Sequence, residues 1–97
     1  MSSQRQYWVY ILANLRNSVL YIGVTNNLQR RIFEHKAGIG SIFTKKYKVH
    51  KLVYFETTNS IHFALRREKQ LKAGSRVRKL SLINSVNPEW RDLYQEG

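Results

Sequence analysis

The sequence predicts an α/β chain of the α+β type: a small, mostly antiparallel three-stranded sheet flanked by helices, in the order β-β-α-β-α-α. Three observations lead there. Two aromatic and β-branched runs, residues 7–13 and 18–24, are separated by only a short polar gap and read as a hairpin. A third run of the same kind, residues 49–56, stands between stretches with helical spacing. Clusters of Asn, Thr and Ser precede each of those stretches, as helix N-caps do.

The elements follow in order. Tyr7 to Ala13 (YWVYILA) forms the first strand, and Asn14-Leu15-Arg16-Asn17 turns the chain with Asn at both ends. Residues 18–24 (SVLYIGV) form the second strand. Thr25-Asn26-Asn27 caps a helix from Leu28 to Lys36, which Gly38 and Gly40 stop. Residues 42–47 form a short basic connection, helical or irregular. Residues 49–56 give the third strand, and the 57–60 cluster caps a helix that runs to Ala73 and ends at Gly74. A last helix covers residues 75–86 and is stopped by Asn87-Pro88. The tail, residues 89–97, folds Trp90, Leu93 and Tyr94 back on the body. With 97 residues, no internal repeat and no low-complexity break, the chain reads as one domain, residues 1–97.

Composition narrows the function. Seventeen Lys and Arg face six acidic residues, a formal net charge of +11, and a globular chain this basic meets a polyanion. Nucleic acid fits best, because each phosphate contact releases condensed counterions. The absence of cysteine excludes disulfides and zinc–thiolate sites. No apolar run approaches a membrane span, and the first six residues lack a signal-peptide core, so the expected location is cytoplasmic. No glycine-rich phosphate loop, HExxH or Ser-His-Asp set is present. His35, His50 and His62 do not fall at metal-ligand spacing.

A few residues can carry chemistry. If Ala13 pairs with Ser18, Tyr10 stands directly opposite Tyr21 on one face. Two adjacent phenols could hold a water or a phosphate oxygen, or fill core as an aromatic pair. Gly23 within a strand marks a close approach, by a substrate backbone or by a packed helix. Arg31 lies at the border of the apolar stripe of Leu28 and Ile32, where a guanidinium could clamp a phosphate or simply cover surface. His35 follows one turn later, and Arg30 reads as solvated. Glu68 shares a stripe with Ile61, Ala64, Leu65 and Leu71, and a carboxylate there needs a cationic partner or a metal. One carboxylate with waters and substrate phosphates suffices for magnesium. Lys45, Lys46, Lys48, Arg66, Arg67, Lys69, Arg76, Arg78 and Lys79 supply a basic surface.

In their order and spacing these residues resemble the GIY-YIG nuclease family, in particular its short stand-alone bacterial members, over nearly the whole chain. Val9-Tyr10-Ile11 is similar to the first half of the name motif, without its glycine, and Tyr21-Ile22-Gly23 matches the second half. The run from Val24 to Arg31 continues the pattern, Glu68 falls where the family places its metal-binding glutamate, and the 87–93 stretch (NPEWRDL) resembles the short members. The resemblance implies a metal-dependent endonuclease that hydrolyses phosphodiester bonds, in DNA ahead of RNA, in repair or recombination. Tyr10 and Tyr21 would orient or activate the water, Arg31 would stabilise phosphate charge, His35 would assist proton transfer, and Glu68 would hold one Mg²⁺ or Mn²⁺. Gly23, Arg30, Lys45, Lys46 and Arg67 would face the nucleic acid, and Asn87 loosely matches a family asparagine. Val24 stands where some members carry lysine, which leaves the choice of general base open. Specificity would come from a protein partner, with the chain itself a monomer or weak dimer. A non-catalytic nucleic-acid-binding module within a larger complex is the alternative.

Overall fold

The computed structural model describes residues 5–94. Residues 1–4 and 95–97, the latter including the last of the expected tail, lie outside the described residues. The elements are β1 (Tyr7–Ala13), β2 (Leu20–Thr25), α1 (Leu28–Lys36), α2 (Ile42–Lys46), β3 (Lys51–Thr58), α3 (Ile61–Ala73) and α4 (Arg76–Val86). The sheet is three-stranded and antiparallel, as the sequence predicts, and its strand order is β2-β1-β3.

Alternation along β1 divides the sheet into two faces. Val9, Ile11 and Ala13 join Ile22, Val53 and Tyr54 on one face and pack against Ala64 and Leu71 of α3 and Ile83 of α4. Tyr10 and Leu12 point the other way and pack with Ile32 of α1, Val49 and Leu52. The tail closes both sides: Trp90 lies against the first cluster, Leu93 and Tyr94 against the second, and the Leu93 amide donates to the Leu52 carbonyl at 2.7 Å.

Two helix caps, Asn27 and Ser60, fall within the clusters expected from the sequence, while Ser75, expected inside the last helix, caps it instead. Asn27, Ser60 and Ser75 each accept a hydrogen bond from the amide three residues on, which satisfies a donor that the helix itself cannot. Gly38, at φ 80°, supplies the left-handed residue after α1.

The hairpin register differs from the expected one. Tyr10 pairs with Gly23 and Leu12 with Tyr21, so paired numbers are displaced by two from the Ala13–Ser18 scheme, and β2 begins at Leu20. The cause is Asn14: its side-chain oxygen accepts from the Ser18 and Val19 amides at 2.8 and 3.1 Å. That wrap, with Asn17 at φ 57°, consumes residues that would otherwise pair. A displacement of two preserves side-chain facing, so Tyr10 and Tyr21 remain on one face as diagonal neighbours. β3 likewise lies two residues later than the 49–56 run, because Lys48 takes a left-handed turn at φ 56° before the chain extends. On α3, Leu65 is exposed rather than core-facing, and Ala64 and Leu71 make the apolar contact.

Candidate active site

The site begins with the strand pair. Tyr10 is almost fully buried, and its ring lies over the position a side chain at Gly23 would occupy: a Cβ there would stand 2.5 Å from Tyr10 Oη. The close approach inferred at Gly23 is therefore made by Tyr10 itself, rather than by a substrate backbone or a helix. This corrects the assignment of Gly23 to the nucleic-acid surface and explains why β2 carries glycine here.

α1 supplies the next groups. Leu28, Ile32 and His35 fall on the face turned to the sheet, with Arg31 at its border. His35 is wholly buried; its Nε2 lies 3.0 Å from Tyr10 Oη and its Nδ1 lies 2.9 Å from Thr44 Oγ1. Tyr21 completes the group, its ring centroid 6.4 Å from Tyr10 and 5.4 Å from His35. Arg31 donates to Glu34 at 2.9 Å and to the Gly40 carbonyl at 2.8 Å, and its charge acts on the Tyr10 hydroxyl. Tyr10, Tyr21, Arg31 and His35 thus meet at one place.

Electrostatics follow from burial. Tyr10 is pushed up to about 12, first by burial and further by Tyr21 and Glu68, while the Arg31 contact pulls the other way. His35 is pushed down to about 4, by burial and by the Arg31 charge, so it is neutral at physiological pH. Burial works against the Arg31 charge, but hydrogen bonds to Glu34 and Tyr10 more than offset it and raise its pKa.

Glu68 sits on α3, which packs against β1 and β2 from the opposite face, yet its charge is felt at Tyr10. It is partly buried and pairs with Lys72 at 3.1 Å, a largely exposed partner that a metal ion could displace. Among the described residues no group of three or more His, Asp or Glu could cage a metal. The donor set fits the other kind of magnesium site, with one carboxylate, waters and substrate phosphate oxygens. A groove of about 340 Å³ runs along the β2 edge, lined by Leu20, Tyr21, Ile22, Phe43, Lys72 and Lys79, where elements from both faces converge. Phe43 stacks with Tyr21 at 6.0 Å and with Tyr47 at 4.8 Å, beside the exposed Lys45 and Lys46. Aromatic rings interleaved with lysines suit a nucleic acid chain.

Other expected residues lie elsewhere. Arg67 is held by Glu56, with three nitrogen–oxygen contacts from 2.8 to 3.1 Å, and by Gln70, so its guanidinium braces the fold instead of facing a ligand. Asn87 is buried; its amide donates to the Val53 and Arg91 carbonyls at 3.0 and 2.9 Å and accepts from the Arg91 amide, which makes it a clamp for the tail. Arg30 is exposed and only loosely paired with Glu34, at 3.9 Å.

Sequence reasoning missed the 40–44 segment. Gly40 must lack a side chain, since a Cβ there would stand 2.4 Å from His35 Nδ1. Its carbonyl holds Arg31, and Thr44 holds His35. The available signal was the Ser41…Thr44 spacing ahead of an aromatic-basic stretch, where Ser41 caps α2 by accepting from the Thr44 amide.

A basic α+β fold that brings phenol, imidazole and guanidinium groups to one place has the features of a candidate active site. The chain belongs to the GIY-YIG family, a nuclease family whose GIY-YIG catalytic domain matches residues 6–81. It is 42% identical over 83 residues to a UPF0213 protein of Syntrophus aciditrophicus, covering 84% of this chain and 93% of that one. It is also 42% identical over 78 residues to a UPF0213 protein of Staphylococcus haemolyticus, covering 80% and 94%. The solution NMR structure of the UPF0213 protein BH0048 from Bacillus halodurans is similar at a TM-score of 0.57 and 30% identity, over 90% of this chain and 92% of that one. These relatives are small, stand-alone members of the family. No helix among the described residues is long and apolar enough to cross a membrane.

Proposed function

We propose that the whole chain acts as one divalent-metal-dependent endonuclease domain that hydrolyses phosphodiester bonds in DNA. The observation that supports this reading is the convergence of Tyr10, Tyr21, His35 and Arg31 on one point, with the Glu68 charge acting on Tyr10 from α3. A water attacks phosphorus, its proton passes to the protein, and the bond to the leaving oxygen breaks, that oxygen taking up a proton from solvent. Tyr10 and Tyr21 orient the water, and Tyr10, hydrogen-bonded to His35, offers the proton path. Arg31 donates to the phosphoryl oxygens as negative charge grows on them. Glu68 would hold one Mg²⁺ or Mn²⁺, which would neutralise phosphate charge and polarise the bond to be cut. The β2-edge groove takes the chain, with Lys72 and Lys79 of its lining, and Lys45 and Lys46 of α2, against phosphates. Such contacts give salt-sensitive, largely sequence-independent binding, and a protein partner supplies specificity. We place the chain in the cytoplasm, as a monomer or weak dimer, in repair or recombination.

The test is cleavage of labelled branched, duplex and single-stranded DNA with Mg²⁺, Mn²⁺ or chelator. Metal-dependent cutting is expected, reduced about 10²–10³-fold or more by Arg31→Ala and by Glu68→Ala. Binding of all three DNAs without cutting, unaltered by either substitution, would replace this reading with a non-catalytic binding module.

A further inference from the structure

We propose that Thr44 is a positioning residue for this site: its buried hydroxyl fixes His35 in the tautomer protonated at Nδ1, which leaves Nε2 bare to accept the Tyr10 hydrogen. The consequence for cleavage rests on the nuclease reading; the tautomer rests on geometry alone.

The direction of the hydrogen bonds follows from counting donors and acceptors. Tyr10 is 1% exposed, so its hydroxyl hydrogen needs a partner inside the protein. The Arg31 guanidinium can only donate, whereas His35 Nε2, 3.0 Å away, can accept. A neutral imidazole carries one hydrogen, and with Nε2 accepting, that hydrogen is on Nδ1. Nδ1 lies 2.9 Å from Thr44 Oγ1, which must then accept. Thr44 sends its own hydrogen on to Ser41, whose carbonyl lies 3.3 Å from Thr44 Oγ1 and whose Oγ lies 2.8 Å away. Every hydrogen from Tyr10 through His35 to Thr44 has an acceptor in this direction. In the reverse direction His35 would donate to Tyr10 and the buried phenol hydrogen would lose this acceptor. Gly40 supports the arrangement by leaving the Nδ1 edge of the ring free of side-chain atoms.

Thr44 therefore acts on catalysis through His35 and not on substrate. Without its hydroxyl, Nδ1–H has no acceptor here, and the imidazole gains by moving its hydrogen to Nε2, where it competes with Arg31 for the Tyr10 oxygen.

Long-range proton–nitrogen correlation NMR on the ¹⁵N-labelled full chain tests this, with Thr44→Val and Thr44→Ser beside the wild type. Expected is a pyrrole-type Nδ1 and a pyridine-type Nε2 for His35 in the wild type and in Thr44→Ser, with that pattern lost in Thr44→Val. A wild-type His35 bearing its hydrogen on Nε2 overturns the proposal, even if Thr44→Val does not fold. In cleavage, Thr44→Val is expected to lower kcat on the order of ten-fold with little change in KM, and Thr44→Ser to restore it. Wild-type turnover by a folded Thr44→Val protein overturns the positioning role. If the wild type cuts no nucleic acid, the nuclease reading fails by itself, and the spectrum still decides the tautomer.

Discussion

Two tyrosines in this molecule have hydroxyls pushed up to about 12, Tyr10 on the α1 face of the sheet and Tyr54 on the α3 face. Burial leads in both cases, yet the partners differ. Tyr54 donates to Glu56, and Glu56 is held by Arg67, so a carboxylate and a guanidinium neutralise each other around the phenol. Burial works against the Glu56 charge, but the bonds from Arg67 and Tyr54 prevail and lower its pKa. That network is closed. Tyr10 instead meets a neutral imidazole and the Arg31 guanidinium, with Tyr21 and Glu68 around it and a groove along the neighbouring strand edge. The lesson is that a perturbed phenol does not by itself mark a site. What separates the two is a carboxylate whose partner can be displaced, Glu68 with its exposed Lys72, and a groove along the neighbouring strand edge.

The sharpest test of that contrast replaces each phenol in turn. Tyr10→Phe is expected to lower cleavage by about 10²–10⁴-fold, the usual range for losing an acid–base group. Tyr54→Phe should leave cleavage nearly unchanged and cost roughly 1–3 kcal/mol of stability, because Glu56 loses a charge-assisted partner. Equal losses of activity from the two substitutions would erase the distinction. Denaturant titration alongside cleavage separates the effects.

Gly40→Ala probes the support of the α1 side. Its Cβ would meet His35 Nδ1, so His35 must shift; a destabilisation of about 1–3 kcal/mol and a turnover loss of at least ten-fold are expected. Retained activity and stability would mean that the ring has slack the packing does not suggest.

Acid should affect the two faces in different windows. His35 titrates at about 4 in the fold against 6.5 in a free chain, so between those values the unfolded chain binds more protons. Its contribution, roughly 3 kcal/mol, is present above pH 6.5 and is lost as the pH falls toward 4. Glu56, lowered from 4.5, loses its contribution only below that value, as the pH falls through its folded pKa. Urea midpoints measured against pH should therefore fall first in the histidine window. In His35→Gln that first fall should be absent; if it persists, another group is responsible.

The smallest effect concerns the outer surface. Replacing Lys45 and Lys46 with alanine should reduce the salt dependence of DNA binding by about two units of slope, without changing metal-dependent turnover at saturating DNA. An unchanged slope would move the nucleic acid path off α2.

Much of this was legible in the sequence because it depends on neighbours along the chain. Asn27 and Ser60 cap the helices that follow them through bonds only three residues long. Alternation in β1 put Tyr10 on a face with Leu12, and helical spacing put Arg31 and His35 one turn apart. The motif order around Tyr10, Tyr21, Arg31 and Glu68 pointed to the family before any geometry. Tertiary structure decided what depends on distant groups. The hairpin register turned on one Asn14 side chain, Arg67 was drawn to Glu56 across the fold, and Asn87 became a clamp on the tail. His35, ambiguous as a lone histidine, became the centre of a buried hydrogen-bond chain only when α2 brought Gly40 and Thr44 against it. Local sequence fixes which way a side chain points, because backbone periodicity is local; which partner it finds there is set by packing between elements far apart in the chain.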